Sequence, residues 1–191
     1  TLEAYVKTSM SNGNFTGIVS KASNSIIHGY QLAIQNNKLA AEFGDATYFV
    51  PGTGSLISVT SINDNNWHHV AMVVNRSQSN IKLFVDGIVE ANITSTVIPL
   101  INVTNTFSLF IGKERTSSFF FNGSIDEVRI WNVARTQCEL QQYMNCEITS
   151  TASGLVANYH FNQGIPSGTN TAVNTLTDAV GSSNGTLANF A

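Results

Sequence analysis

Charge is scarce in this chain. Only 11 % of its 191 residues are Asp, Glu, Lys or Arg, and 12 acidic against 9 basic side chains leave a net charge of −3. No basic field is available to neutralise phosphates, which argues against nucleic acid as a partner. Long apolar runs are missing as well. None approaches the roughly 20 residues that a membrane-spanning helix needs. Cysteine is nearly absent, with Cys138 and Cys146 the two examples. Their even number and closeness suit a local disulfide in an oxidising compartment, and the alternative is a pair of thiols. On one continuous helix their Cα atoms would lie about 12 Å apart, at roughly 1.5 Å per residue. That exceeds the ~7 Å reach of a bridge, so the expected disulfide requires the helix to end early and the chain to double back. No leader opens the chain, since Thr1–Lys7 already reads as a strand. Export would then rely on a signal that is removed or encoded elsewhere.

What is present is a succession of short strand-like runs between turn signals. Leu2–Lys7 alternates, and Phe15–Lys21 follows Asn12-Gly13. Tyr30–Gln35 and Lys38–Phe43 flank Asn36-Asn37, while Ile81–Val85 and Ile88-Val89 flank Asp86-Gly87. Both dipeptides suit type I′ hairpins, whose central residues need positive φ. Leu56–Val59, Trp67–Asn75, Phe107–Gly112, Ile125–Trp131 and Leu155–Phe161 complete the strands. One helix is expected. Thr136-Gln-Cys-Glu139 has the capping-box pattern, followed by Leu140, Tyr143 and Met144 at helical spacing, with an end near Asn145. The tail after Asn162 reads as loops with one late strand. These elements predict an all-β fold, a two-sheet antiparallel β-sandwich of jelly-roll type with one short helix, spanning residues 1–191 as one domain.

The segment Asn122-Gly-Ser-Ile-Asp-Glu-Val-Arg-Ile-Trp-Asn132 carries the most chemistry. Strict alternation places Asp126, Val128 and Ile130 on one face and Ile125, Glu127, Arg129 and Trp131 on the other. With Val128 and Ile130 in the core, Asp126 points inward, where a carboxylate must be hydrogen-bonded, paired or metal-bound. Glu127 and Arg129 share a face and can pair.

Asn66-Trp-His-His-Val-Ala71, Leu83-Phe-Val-Asp-Gly87 and Phe121-Asn-Gly-Ser-Ile-Asp-Glu-Val-Arg-Ile-Trp131 occur in order. Together they resemble the laminin G-like jelly roll of the concanavalin A-like lectin/glucanase superfamily, in the form found in secreted multidomain bacterial proteins. Thr1–Lys7 resembles that family's early strand and Gly154–Gly164 its closing strand. The resemblance implies that a first strand, normally preceding this early strand, is missing. It also implies a secreted or cell-surface setting. The implied function is a non-catalytic carbohydrate-binding module whose partner is a polysaccharide or other glycan. The alternative is an adhesion or scaffolding module with a protein partner. Related laminarinase-type hydrolases bind a structural calcium through an aspartate that opens a comparable strand. By that resemblance Asp126 is the candidate calcium ligand, with loop carbonyls and water completing the 6–8 oxygens that calcium takes. The competing role is an aspartate that accepts backbone N–H bonds.

Catalysis is not expected. Retaining glycosidases need two carboxyl groups about 5–5.5 Å apart, and the only adjacent acids, Asp126 and Glu127, alternate to opposite faces. No nucleophile motif of the Gly-x-Ser-x-Gly type occurs. His68 and His69 alternate too and cannot easily share an ion, and His28 and His160 are isolated in sequence, so no transition-metal site is expected. Trp67 and Trp131 occupy family core positions and are expected to be buried. Tyr48, Phe49, Phe119 and Phe120 lie near loops and are the candidate sugar platforms, with mere exposure as the competing explanation. Asn-x-Ser/Thr triplets at Asn14, Asn92 and Asn122 are what an Asn- and Thr-rich chain produces by chance.

Overall fold

The computed structural model describes residues 1–11, 13–22, 28–114, 119–165 and 168–188; the turn residue Asn12 lies outside them. Two antiparallel sheets pack face to face. The first contains β1 (Leu2–Lys7), β7 (Trp67–Asn75), β8 (Asn80–Val85), β9 (Ile88–Thr94), β11 (Ser124–Trp131) and β12 (Leu155–Tyr159), in the spatial order β12–β11–β1–β7–β8–β9. The second contains β2 (Thr16–Lys21), β3 (Gly29–Gln35), β4 (Lys38–Gly44), β5 (Phe49–Val50), β6 (Leu56–Ser61) and β10 (Phe110–Ile111). Its order is β10–β2–β3–β4–β5, with β6 also paired to β4. A small hairpin, β13 (Thr175–Leu176) and β14 (Gly185–Thr186), lies in the tail. The expected sandwich is therefore present. Both predicted hairpin turns form, with φ of 52° and 68° at Asn36 and Asn37 and of 50° and 74° at Asp86 and Gly87.

Alternation decides the layers. Leu2, Ala4 and Val6 of β1 enter the inter-sheet core with Met72, Leu83 and Val128, facing Leu32, Ile34, Leu39 and Phe43 of the second sheet. The intervening Glu3 and Tyr5 therefore point to the outer face of the first sheet. The helix α1 (Gln137–Tyr143) covers part of that face. Its capping box forms as the sequence predicts: Glu139 N donates to Thr136 Oγ1, and Thr136 N donates to the Glu139 carboxylate. Leu140 is fully buried against Ala71, Val73 and Phe84. On the far edge Glu90 of β9 reaches across to β6. Its carboxylate accepts from Val59 N, Thr60 N and Thr60 Oγ1.

Two expectations are corrected. Strict alternation along β11 fails at a bulge. Between the pairs Glu3↔Arg129 and Tyr5↔Asp126, Ala4 alone stands opposite Glu127 and Val128, and Glu127 takes a φ of 47°. The extra residue reverses the parity before it. Ile125, paired with Val6, packs on the core, whereas Asp126 lies beside Tyr5 on the outer face. Asp126 does not point inward, and it shares the outer side with Glu127 rather than opposing it. The disulfide is the second correction. Cys138 and Cys146 are free and exposed, because α1 continues from Gln137 through Tyr143 with its C-cap at Met144 and does not double back between them.

Candidate functional site

A pocket of about 510 Å³ opens between the sheets, at the end where β1 begins and β7 and β11 finish. This volume is typical of small-molecule sites, which span roughly 300–1,000 Å³. Its depth is apolar, with Tyr30, Phe43, Met72 and Ile130. Its mouth is polar, with Asn75, Arg76, Ser77 and Asn132. Local turn chemistry places these groups. Asn75 Oδ1 accepts Ser77 Oγ at 2.8 Å and Gln78 N at 3.0 Å, which shapes the β7–β8 connection. Arg76 Nη1 donates to Ile98 O and Pro99 O, both at 3.2 Å, and the guanidinium carbon lies 5.4 Å from the centre of the Phe43 ring. Among the described residues that line the pocket there is no Asp or Glu.

The aromatic residues singled out in the sequence do not meet there. Tyr48 is half-buried against the core, in a turn where Asp45 Oδ1 accepts Thr47 N and Tyr48 N. Phe49 lies in β5. Phe119 and Phe120 are exposed at the opposite edge of the second sheet, where Lys113 Nζ lies 4.8 Å from the Phe110 ring centre and 5.5 Å from that of Phe120. Four inter-strand steps of about 4.8 Å separate β5 from β10, or roughly 19 Å. Trp131 is buried as expected, but Trp67 is 46 % exposed. Trp67 starts β7 opposite Lys7, on the outer face, with its ring centre 6.4 Å from that of Tyr5 in a T-shaped arrangement.

Beneath α1 the outer face buries a polar network. Glu3, His69, Arg129 and Trp131 are each no more than 5 % exposed. Glu3 Oε1 accepts Trp131 Nε1 at 2.6 Å, and Glu3 Oε2 lies 3.1 Å from His69 Nε2. Burial pushes the Glu3 carboxyl up, but the contacts with His69, Arg129 and Trp131 outweigh it and hold the group below its ordinary value. Arg129 Nη2 donates to Glu127 Oε2 at 2.9 Å and to Cys146 O at 2.7 Å, and Nη1 donates to Tyr143 O at 3.2 Å. The guanidinium thus fastens the end of α1 to the sheet, and Glu127 and Arg129 pair as their shared face predicts. At the start of β7, His68 lies between Asp86 and Asp64, at 2.8 and 3.0 Å.

Side chains that could hold a metal ion also gather on this face, in a group separate from Asp126. Asp126 Oδ1 accepts Glu127 N at 2.8 Å. Burial raises its carboxyl pKa, more than the Glu127 amide lowers it. Asp126 supplies a single carboxylate. Among the described residues, Glu127, Glu147 and His160 bring their ligand atoms within 4.8 Å of one another. They come from β11, the segment after α1, and the residue following β12. Separations of twenty and thirteen residues match no ligand motif, so only the fold reveals the group.

The family model of the concanavalin A-like lectin/glucanases superfamily matches residues 1–141. Comparison with curated proteins finds no match. Among solved structures, a protein from Bacteroides ovatus provisionally described as carbohydrate binding aligns at 20 % identity and a TM-score of 0.66. The alignment covers 97 % of this chain, which spans 50 % of that protein's length. The CBM40 of Ruminococcus gnavus IT-sialidase, bound to α2,3-sialyllactose, aligns at 18 % identity and a TM-score of 0.58, covering 74 % of this chain and 79 % of its own. A native heptameric SAP-like pentraxin from Limulus polyphemus aligns at 14 % identity and a TM-score of 0.57, covering 76 % and 69 %. At these identities the structures share the fold. With three quarters of its length under the family model and its ordered motifs in the expected strands, the chain belongs to the concanavalin A-like lectin/glucanases superfamily, as a laminin G-like jelly roll.

Proposed function

We propose that this chain is a non-catalytic carbohydrate-binding module of a secreted or cell-surface protein, and that it takes a saccharide at the pocket between the sheets. The observation that carries this reading is the lining. Tyr30 offers flat apolar surface for one face of a pyranose, above a floor that includes the buried Phe43, while Asn75, Arg76, Ser77 and Asn132 offer donors and acceptors for its hydroxyls. No carboxylate lines the pocket among the described residues, so no acid–base pair stands beside the sugar. The carbohydrate-binding neighbours on the same fold support the class of ligand, by analogy of fold. Calcium at Asp126 belongs to the same proposal as a structural ion, with one carboxylate on the outer face and the remaining ligands drawn from carbonyls and water.

A glycan array, run with and without calcium, tests the reading. Wild type should bind one class of saccharide, and Tyr30→Ala should lose most of that signal. Absence of any hit, or equal binding by Tyr30→Ala, would overturn it. An adhesion role toward a protein has one specific observation in its favour. The edge strand β9 exposes Ile88 and Val89, and an open edge can accept a strand from a partner. Capture of a protein partner that free sugars fail to compete off would favour that reading.

A further inference from the structure

We propose that Glu127, Glu147 and His160 form a site for a divalent transition-metal ion, with zinc the best fit. The three ligand atoms lie within 4.8 Å of one another. Two ligand atoms on one zinc ion are about 3.4 Å apart, given Zn–N and Zn–O bonds of roughly 2.0–2.2 Å. The group is therefore within about 1.5 Å of a working geometry. The exposed Glu147 can supply that movement. Each residue keeps a ligand atom to offer. Glu127 commits Oε2 to Arg129, and its Oε1 is paired with His160 Nδ1 at 2.8 Å, a bond that an ion would replace by taking the place of the shared proton. Glu147 accepts Asn162 Nδ2 on Oε1, which leaves Oε2. Arg129 also fixes the Glu127 carboxylate from behind, as outer partners of metal ligands commonly do.

A second observation comes from Asn158. Its side chain is fully buried and its Oδ1 has no partner, while its Nδ2 lies 3.1 Å from His160 Nε2. Rotating that amide by half a turn puts Oδ1 against Nε2. Oδ1 then accepts an Nε2–H bond, the orphaned oxygen is satisfied, and the histidine proton sits on Nε2. Nδ1 becomes a bare lone pair facing Glu127 and Glu147, the tautomer in which imidazole ligates a metal. The turn gives up the Nδ2 contact with Ile148 O at 3.4 Å and the His160 Nδ1–H bond to Glu127 Oε1, so it accompanies the arrival of the ion, whose bonds to Nδ1 and Oε1 replace them. One imidazole and two carboxylates suit zinc and its neighbours in the transition series better than calcium, which prefers an all-oxygen shell. The remaining coordination positions would be filled by water. Bound metal would clamp β11, the end of β12 and the segment after α1.

Calorimetric titration of the EDTA-stripped protein with zinc sulfate, with calcium chloride as comparator, tests the site. Wild type should bind one zinc per chain and melt at a higher temperature with it. Glu147→Gln is exposed and should fold normally, yet weaken zinc binding by at least about 10-fold, since even outer-sphere changes cost 10–100-fold. His160→Gln should weaken it further. Zinc affinity unchanged in Glu147→Gln, zinc binding absent from wild type, or calcium affinity weakened by Glu147→Gln as much as zinc affinity would each overturn the proposal.

Discussion

Replacing Arg129 with methionine is the sharpest test of how the outer layer is held. Arg129 is 1 % exposed. It supplies the cation beside Glu127, and its Nη1 lies 4.0 Å from Glu3 Oε1. It also donates to Tyr143 O and Cys146 O. Methionine preserves much of the apolar stem and removes only the guanidinium. Breaking one partner out of a buried ionic network costs about 3–5 kcal/mol. Each stranded carbonyl costs about 1–3 kcal/mol on its own scale. The two effects overlap and do not add, so a loss of about 4 kcal/mol is expected. A chain of this size shifts by roughly 2–4 °C per kcal/mol, which gives a fall in Tm of about 8–16 °C. Differential scanning calorimetry and urea titration both measure it. Glu3→Gln combined with Arg129→Met should cost less than the sum of the two, because the charge stranded by the second change is already gone. A loss below about 1 kcal/mol, or strict additivity, would show that the guanidinium does not hold this layer together.

Three further outcomes follow from named contacts. Asp126→Ala should lower Tm, and calcium should raise the Tm of wild type only; an equal calcium response in both proteins would refute a ligand role for Asp126. Burial pulls the His68 pKa down, but its bonds to Asp86 and Asp64 outweigh that and hold it above its ordinary value. Stability from a raised histidine is complete below its unfolded pKa of about 6.5 and is lost as pH rises through the folded value. Tm should therefore fall on passing from mildly acidic to alkaline buffer, and His68→Gln should flatten that slope. Thr136→Ala removes the side chain that caps α1 and should cost about 1 kcal/mol, read by urea titration.

Much of the fold was legible because local chemistry and tertiary packing agree. Asn36-Asn37 and Asp86-Gly87 turn where their backbone preferences demand, and the capping box at Thr136 starts the only α-helix among the described residues. Tyr48, Phe119 and Phe120 were visible as loop aromatics, but sheet order, which sequence does not state, places them at opposite edges. The bulge at Glu127 was invisible for a related reason. Val128 and Ile130 alternate correctly, and only pairing with β1 reveals the extra residue that turns Asp126 outward. The pocket residues and the Glu127–Glu147–His160 group come from segments distant in sequence. Nothing in their spacing announces them.

Glu90 gives the sandwich a seam whose closure depends on acidity. One carboxylate latches the two leaves along the β9 side by accepting three hydrogen bonds from β6. Burial raises its pKa, yet the Thr60 and Val59 donors outweigh that and keep it below the usual carboxylate range. The latch therefore holds at neutral pH and lets go only in acid. Protonation weakens all three acceptor bonds at once, so in acid the β6–β9 seam would be the part of the sandwich that loosens first, beside the exposed edge of β9.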